Sequence, residues 1–298
     1  MYTLIDFVGK GEIKIKIAII GGDKREEIMI QCLADKGYKL SVLTENQIEH
    51  PNVTCYTAVD KVVSNQRVVI APMSGTDQNG ILKSTFIRNK VQLTKEFFRL
   101  LTKDTLFLIG IAKPAVMKIL EDELIQYIEM ARLDDLAIMN AIPTAEGAIK
   151  IAIEESGQTI FGSNILTYGL GKVGLSLAWR LKALGAESYA VTRNKAAMAR
   201  GKDLGIKMLT YNQLEEYLSV MEIIYNTVPK KIITANSISL MQKKTLMIDL
   251  ASAPGGIDFE AADQMGIKTI QALGLPGKVA PITAGKILAE IIPSIINR

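Results

Sequence analysis

Short apolar runs alternate along the whole chain with segments whose apolar residues recur at helical spacing. Ile17-Ala18-Ile19-Ile20 and Leu106-Phe107-Leu108-Ile109 have the length of strands buried on both faces. Their alternation with amphipathic segments predicts parallel sheet covered by helices. In the first half the pattern predicts strands over 15–20, 39–43, 68–71, 106–109 and 136–139, with helices over 25–35, 90–102 and 114–130. Near Asn140-Ala141-Ile142-Pro143-Thr144 a boundary is expected, because Pro143 restricts Ile142 and suits the opening of a helix to about Glu155. The alternation then restarts, with strands over 164–168, 187–192, 222–226, 245–249 and 268–271 and helices over 172–184, 194–203, 212–218 and 258–264. A last helix, Thr283 to about Ile296, is apolar on one face and is expected to cross back onto the first domain. The expectation is an α/β protein of two doubly wound parallel-sheet domains, 1–142 joined by the C-terminal helix 283–298, and 143–282.

Composition narrows the class. The chain has 298 residues, 48% of them hydrophobic, which is enough for two medium cores. Its apolar runs fall far short of a membrane span, and the start, with Asp6, Lys10, Glu12 and Lys14, lacks the apolar core of a secretory leader. A cytoplasmic protein is expected. A net charge of +4 without a long basic run gives nucleic-acid binding no support. Cys32 and Cys55 stand alone and read as buried small hydrophobes in a reducing compartment. His50, the one histidine, reads as a solvated surface turn in Glu49-His50-Pro51-Asn52, so no metal site is expected.

The strongest chemical signal is Ile165-Leu166-Thr167-Tyr168-Gly169-Leu170-Gly171-Lys172-Val173-Gly174, a strand, then G-x-G-x-x-G, then an amphipathic helix stopping at Gly185. Gly169 permits the tight turn, Gly171 lets a pyrophosphate approach the backbone, and Gly174 allows the helix to pack closely on the strand. The helix N-terminus offers N–H groups and partial positive charge to the phosphates. The second domain is thus expected to be a Rossmann dinucleotide-binding domain. Its next strand ends in Thr192-Arg193-Asn194 instead of the Asp or Glu that accepts from the ribose of NAD. A guanidinium there can pair with a 2′-phosphate, which favours NADP over NAD, with Lys195 and Arg200 as helpers. The alternative is a solvated helix start at Arg193. Three later strand ends, Asn226-Thr227-Val228-Pro229, Asp249-Leu250-Ala251 and Leu273 to Lys278, should line the nicotinamide side. Asp249 is either a functional carboxylate or a cap for the N–H groups of the loop after it.

In the first domain, Gly21-Gly22-Asp23-Lys24-Arg25 falls between a strand and a helix. The glycines expose amides and Arg25 sits in the first helical turn, where both attract an anion, while Asp23 reads as an N-cap. Ser74-Gly75-Thr76, after the third strand, could donate further to a carboxylate or be a plain polar loop.

These loops, with Ala141-Ile142-Pro143-Thr144-Ala145-Glu146-Gly147, Asp249-Leu250-Ala251-Ser252-Ala253-Pro254-Gly255-Gly256 and the stretch from Gly274 to Gly285, resemble the dipicolinate synthase A-subunit family of spore-forming bacteria from Ile15 to Ile291. The stretch from Leu275 to Thr283 is also similar to a segment of methylenetetrahydrofolate dehydrogenases, but Lys278 and Ala280 depart from that pattern. The first resemblance implies an NADP-dependent oxidation of dihydrodipicolinate, or its hydroxy-tetrahydro form, to dipicolinate. It also implies, as partner, the flavoprotein-like B-subunit of that synthase, and, as location, the mother cell of a sporulating bacterium. A homo-oligomer is expected. On this reading the substrate lies between the domains, its carboxylates held by Arg25, the Gly21 and Gly22 amides and a donor such as Ser74 or Lys278. Glu146 is the first choice if a base takes part. Two rivals stay open: a non-catalytic NADP-binding protein that supports its partner, and a dehydrogenase for another small acid.

Overall fold

The computed structural model describes residues 15–297, so the start read for a leader, with Asp6, Lys10, Glu12 and Lys14, lies outside the described residues. The chain divides into two units, one ending at Leu136 and resuming at Pro281, the other Ala137–Ala280.

The first unit contains β1 (Ile17–Ile20), α1 (Lys24–Asp35), β2 (Leu40–Leu43), β3 (Val53–Tyr56), α2 (Val59–Val63), β4 (Val68–Ile70), α3 (Lys95–Phe98), β5 (Leu106–Ile109), α4 (Pro114–Asp122) and β6 (Gln126–Glu129). Its strands form one parallel sheet in the order β3-β2-β1-β4-β5-β6. All of β1 is buried, as a central strand covered on both faces must be. The order reverses between β1 and β4, and the Gly21-Gly22 loop leaves β1 at that switch, where open α/β sheets place ligands.

The long helix α5 (Asp134–Ser156) leads into the second unit. There follow β7 (Asn164–Tyr168), α6 (Lys172–Ala183), β8 (Glu187–Val191), α7 (Lys195–Asp203), β9 (Lys207–Leu209), α8 (Leu214–Leu218), β10 (Ile223–Asn226), α9 (Ala235–Ser239), β11 (Leu246–Asp249), α10 (Phe259–Gln264), β12 (Lys268–Gln271) and α11 (Leu275–Val279). The parallel sheet runs β12-β11-β10-β7-β8-β9, the same winding as the first unit, with the G-x-G-x-x-G loop leaving β7 at the switch. By length and composition α5 could cross a membrane. Its buried face instead serves the core: Ala145, Ala148, Ile149 and Ala152 pack with Ile165, Leu177 and Tyr225.

The last helix, α12 (Pro281–Ile296), belongs to the first unit. It lies against α1 so closely that a Cβ on Gly285 would run into the Arg25 carbonyl and come within 2.6 Å of Ile28 Cβ. The Lys36 ammonium donates to the Ala289 carbonyl at 2.7 Å across the same contact.

Several expectations change. The run 136–139, read as a strand, is helical within α5, because a short apolar run has no period of its own and the buried positions here follow helical spacing. Pro143 lies inside that helix rather than opening one; its ring removes one backbone donor, and the Thr144 hydroxyl bonds the neighbouring Asn140 carbonyl at 2.7 Å. The helix expected over 114–130 stops at Asp122, where Leu124 adopts φ 55°, and the chain continues as edge strand β6. Of the helix expected over 90–102 only α3 forms; before it, bridges between Thr76 and Leu82 and between Ile81 and Gln92 fold the chain as an irregular loop. The edge strands β3 and β9 go unread because so few of their residues are buried. His50 is not solvated: its side chain is 14% exposed, with Nδ1 accepting from Asn52 N–H and Nε2 3.3 Å from Asp35. Cys32 and Cys55 are unpaired and half-buried rather than fully buried.

The α1–α12 contact yields a first prediction. Gly285→Ala should destabilise the chain by about 1–3 kcal/mol through overpacking, read as a lowered midpoint in urea denaturation. An unshifted midpoint would show that α12 does not seat on α1.

Candidate functional site

The three glycines after β7 do three different things. Gly169 has φ 86°, and a Cβ there would come within 2.6 Å of Thr227 Oγ1 and 2.7 Å of Val228 Cγ2. A Cβ on Gly174 would strike the Gly169 carbonyl, so α6 begins pressed against the end of β7. A Cβ on Gly171 would meet nothing within 4 Å. Gly171 and Lys172 are exposed while Gly169 and Gly174 are buried, so the loop shows its outer rim to a ligand. Thr227 locks the turn from the neighbouring strand end, its hydroxyl donating to the Tyr168 carbonyl at 2.9 Å and its N–H to the same oxygen at 3.0 Å.

No side chain caps the N-terminus of α6. Amides at such an end, reinforced by the helix dipole, suit the diphosphate of a dinucleotide, and the open space at Gly171 admits it. Leu170, Lys172 and Val173 belong to the same turn. Beside it a groove of about 700 Å³ opens along α6 and α7, lined by Leu175, Trp179, Asn194 and Arg200 among others.

At the end of β8, Thr192 Oγ1 accepts from Asn194 N–H at 3.2 Å, and the Asn194 side chain caps α7 by accepting from Ala197 N–H at 3.0 Å. Asn194 therefore shapes the turn. Arg193 is exposed, with its guanidinium carbon 5.3 Å from the centroid of the Tyr211 ring, a partner that local sequence does not suggest. Lys195 opens α7 as an exposed first residue.

Asn226 and Asp249, expected at strand ends on the nicotinamide side, bond each other. Both are fully buried. The Asn226 amide donates to Asp249 at 2.8 Å and to the Val228 carbonyl at 3.0 Å, and accepts from Val228 N–H at 3.1 Å. The Asp249 carboxylate also accepts from Ala251 N–H at 2.9 Å and Gly256 N–H at 2.8 Å. Of the two readings open for Asp249, the structure takes the loop cap. The pair braces the strand ends that carry Thr227, Val228, Pro229, Leu250 and Ala251, with both side chains buried.

Glu146, the first choice if a base takes part, sits on α5. Its side chain is 63% exposed and lies 3.6 Å from Arg180 Nε. Arg180 stands eight residues, about 12 Å, along α6 from its first residue, Lys172. That position gives Glu146 an ion pair between α5 and α6. Lys278 is an exposed residue of α11.

In the first unit the loop after β1 is closed on itself. Asp23 caps α1, accepting from Arg25 N–H at 2.9 Å, and completes a capping box with Glu26. Its carboxylate also holds the guanidinium of Arg25, from Nε at 2.9 Å and from a terminal nitrogen at 2.6 Å. The buried Glu26 ties the loop to the end of β4, accepting from Asp23 N–H and Met73 N–H, each at 2.8 Å. Burial pushes the Glu26 carboxyl up, and Arg25 and the two N–H bonds offset only part of that. Burial works against the Asp23 carboxylate too, yet its bonds to Arg25 keep it below the usual range.

The Gly22 amide, expected to face an anion, donates to Ser84 Oγ at 3.0 Å. Ser84 would also block any side chain at Gly21, whose φ is 89°. Ser74 donates its hydroxyl to the Lys83 carbonyl at 2.9 Å, and Gly75 its amide to the Pro72 carbonyl at 2.9 Å. The Thr76 hydroxyl is buried with no hydrogen-bond partner among the described residues. These residues are brought together around the ends of β1 and β4, but most of their donors are engaged. Glu26 and Ser84 join them without having been singled out by sequence. Glu26 was legible as the third residue after an Asp N-cap, whereas nothing in sequence ties Ser84 to residues some sixty positions away.

Comparison with known proteins agrees with both halves. Residues 16–131 match the family model for the N-terminal domain of the dipicolinate synthase A-subunit, and residues 143–258 match that for the D-isomer specific 2-hydroxyacid dehydrogenase, NAD binding domain. The dipicolinate synthase A-subunit of Bacillus subtilis is 33% identical over 284 residues, covering 95% of this chain and 96% of that protein. The crystal structure of the dipicolinate synthase A-subunit from Bacillus halodurans has a TM-score of 0.90 at 33% identity, covering 95% of this chain and 98% of that one. A transhydrogenase from Sinorhizobium meliloti, with a TM-score of 0.69 at 16% identity over 94% of this chain and 93% of that one, shares the fold. With an NAD-binding dehydrogenase domain in its second half, the chain is an NAD(P)-dependent oxidoreductase and belongs to the dipicolinate synthase A-subunit family.

Proposed function

We propose that the chain oxidises dihydrodipicolinate, or its hydroxy-tetrahydro form, to dipicolinate with NADP as acceptor, beside a flavoprotein-like B-subunit in the cytoplasm of a sporulating mother cell. The substrate and partner rest on the names of the relatives, which describe those proteins as the A-subunit of a dipicolinate synthase. The choice of NADP rests on one observation: the strand end beside the glycine loop presents Arg193, with no carboxylate in Thr192-Arg193-Asn194 to repel a 2′-phosphate.

The bound nicotinamide supplies a two-electron hydride acceptor. The dihydro ring gives up one hydride and one proton as it becomes aromatic, so the oxidation balances without a further oxidant. The hydroxy-tetrahydro form must first lose water to reach the same oxidation step. Aromatisation drives the proton loss, and the proton passes to Glu146 if a base takes part and otherwise to solvent. The chain's own work is to bind and orient. In the second unit Gly169, Gly171 and Gly174 present the end of α6 to the diphosphate. In the first, Arg25 keeps donors beyond those spent on Asp23, and these receive a substrate carboxylate. Loss of a charged hydrogen bond of this kind costs about 1.5–3 kcal/mol.

Two measurements test the reading. Arg193→Ala should weaken NADP⁺ binding by about tenfold, equivalent to about 1.4 kcal/mol, with NAD⁺ affinity kept, as read by calorimetry. An equal effect on both dinucleotides would remove Arg193 from 2′-phosphate recognition. Arg25→Ala should bind NADP⁺ as wild type does yet lose turnover by about tenfold or more when its partner is present, followed by the absorbance of reduced nicotinamide. Unchanged turnover would discard Arg25 as the carboxylate contact. Reduced nicotinamide that forms at the same rate with the partner alone would return the chemistry to the partner.

A further inference from the structure

We infer that Tyr211 is a positioning residue for cofactor choice: its ring holds Arg193 at the ribose end of the dinucleotide site and so strengthens selection for a 2′-phosphate monoester. The inference rests on the proposed reading of Arg193 and adds the residue through which it acts.

The sheet register brings the two side chains together. Tyr168 of β7 pairs with Val191 of β8, and Val191 pairs with Leu209 of β9. The three residues form one row across the carboxyl edge of the sheet. Gly169 leaves β7 just past that row, donating its N–H to the Val191 carbonyl at 2.9 Å. Two residues beyond the paired positions Val191 and Leu209 come Arg193 and Tyr211, so the guanidinium and the ring leave adjacent parallel strands side by side. The observed distance, 5.3 Å from the guanidinium carbon to the ring centroid, is within cation–π range.

Tyr211 is itself held. Its ring packs against the buried cluster that contains Tyr168, Leu209, Leu214 and Leu218. The turn carrying it is closed between Thr210 and Gln213. Gln213 Oε1 accepts from the Thr210 N–H at 3.1 Å and from its hydroxyl at 2.9 Å, while Gln213 N–H donates to the Thr210 carbonyl at 3.1 Å. These contacts hold the ring beside Arg193.

A long exposed arginine ordinarily gives up side-chain freedom when it grips an anion. Resting over a π face, Arg193 has given up part of that freedom already, and the ring takes none of the N–H groups that a two-pronged bond to phosphate needs. Arg25 provides the contrast, since one edge of its fork, Nε and a terminal nitrogen, is held by Asp23, whereas Arg193 forms no ion pair among the described residues. The ring attracts the cation without occupying its donors, which a carboxylate could not do.

The test measures dissociation constants for NADP⁺ and NAD⁺ by calorimetry on the wild-type chain and on Y211A, Y211L, Y211F, R193A and R193A/Y211A. Y211A should weaken NADP⁺ about two- to fivefold, the span of an exposed cation–π contact, and leave NAD⁺ unchanged. Y211L, which fills the same space without a π face, should match Y211A and stands in for it if the smaller side chain unsettles the fold. Y211F keeps the ring and should keep the wild-type preference. In the R193A background, removal of Tyr211 should add nothing to the loss of NADP⁺ affinity. A wild-type preference for NADP⁺ that survives both Y211A and Y211L, or a loss in Y211F as large as theirs, overturns this inference alone. Equal affinity of the wild-type chain for the two dinucleotides overturns the cofactor reading and the inference with it.

Discussion

The dinucleotide half depends on how closely α6 can start against the end of β7. With no side chain at Gly174, the first turn of the helix presses onto the Gly169 carbonyl, and Thr227 from the end of β10 bonds the neighbouring carbonyl from the side. This close packing aims the helix end past Gly171 into open space. A methyl group at Gly174 would push the helix away and turn its amides off the ligand. Asn226 and Asp249, buried beneath, keep the next two strand ends in place without reaching the surface.

The two units share a winding and differ at the corresponding helix start. Both sheets reverse at the strand that precedes a glycine loop. In the first unit the helix after that loop carries its own anion, the Asp23 carboxylate, which satisfies the first-turn amides and holds Arg25. In the second, the cap position is a glycine with nothing to offer. A helix end that is already capped has little left for a diphosphate, while an uncapped one gains by binding it. One unit therefore serves the dinucleotide. The other keeps a polar cluster in which Glu26 ties the loop after β1 to the loop after β4.

Much of this was legible in the chain itself. Buried strands such as Ile17–Ile20 and Leu246–Asp249 announce themselves as apolar runs, and the three glycines carry their roles in their spacing. The edge strands β3 and β9 did not, because they bury so little that their composition resembles loop. The run at 136–139 was ambiguous for the opposite reason. Four apolar residues in a row fit a strand or a helix, and only the partners at Ala145, Ala148 and Ile149 decide.

Local order along the chain therefore settled the α/β alternation, the glycine loop and the missing carboxylate at Thr192-Arg193-Asn194. These depend on backbone freedom, periodicity and charge, which neighbouring residues carry among themselves. Which polar groups are already satisfied is a different kind of fact. Asp249 became a loop brace by facing Asn226 and Gly256; the Gly22 amide was engaged by Ser84; Arg193 met Tyr211 across two strands. A hydrogen bond or a stacked cation depends on distance in space, and folding alone brings residues so far apart in the chain within reach of one another.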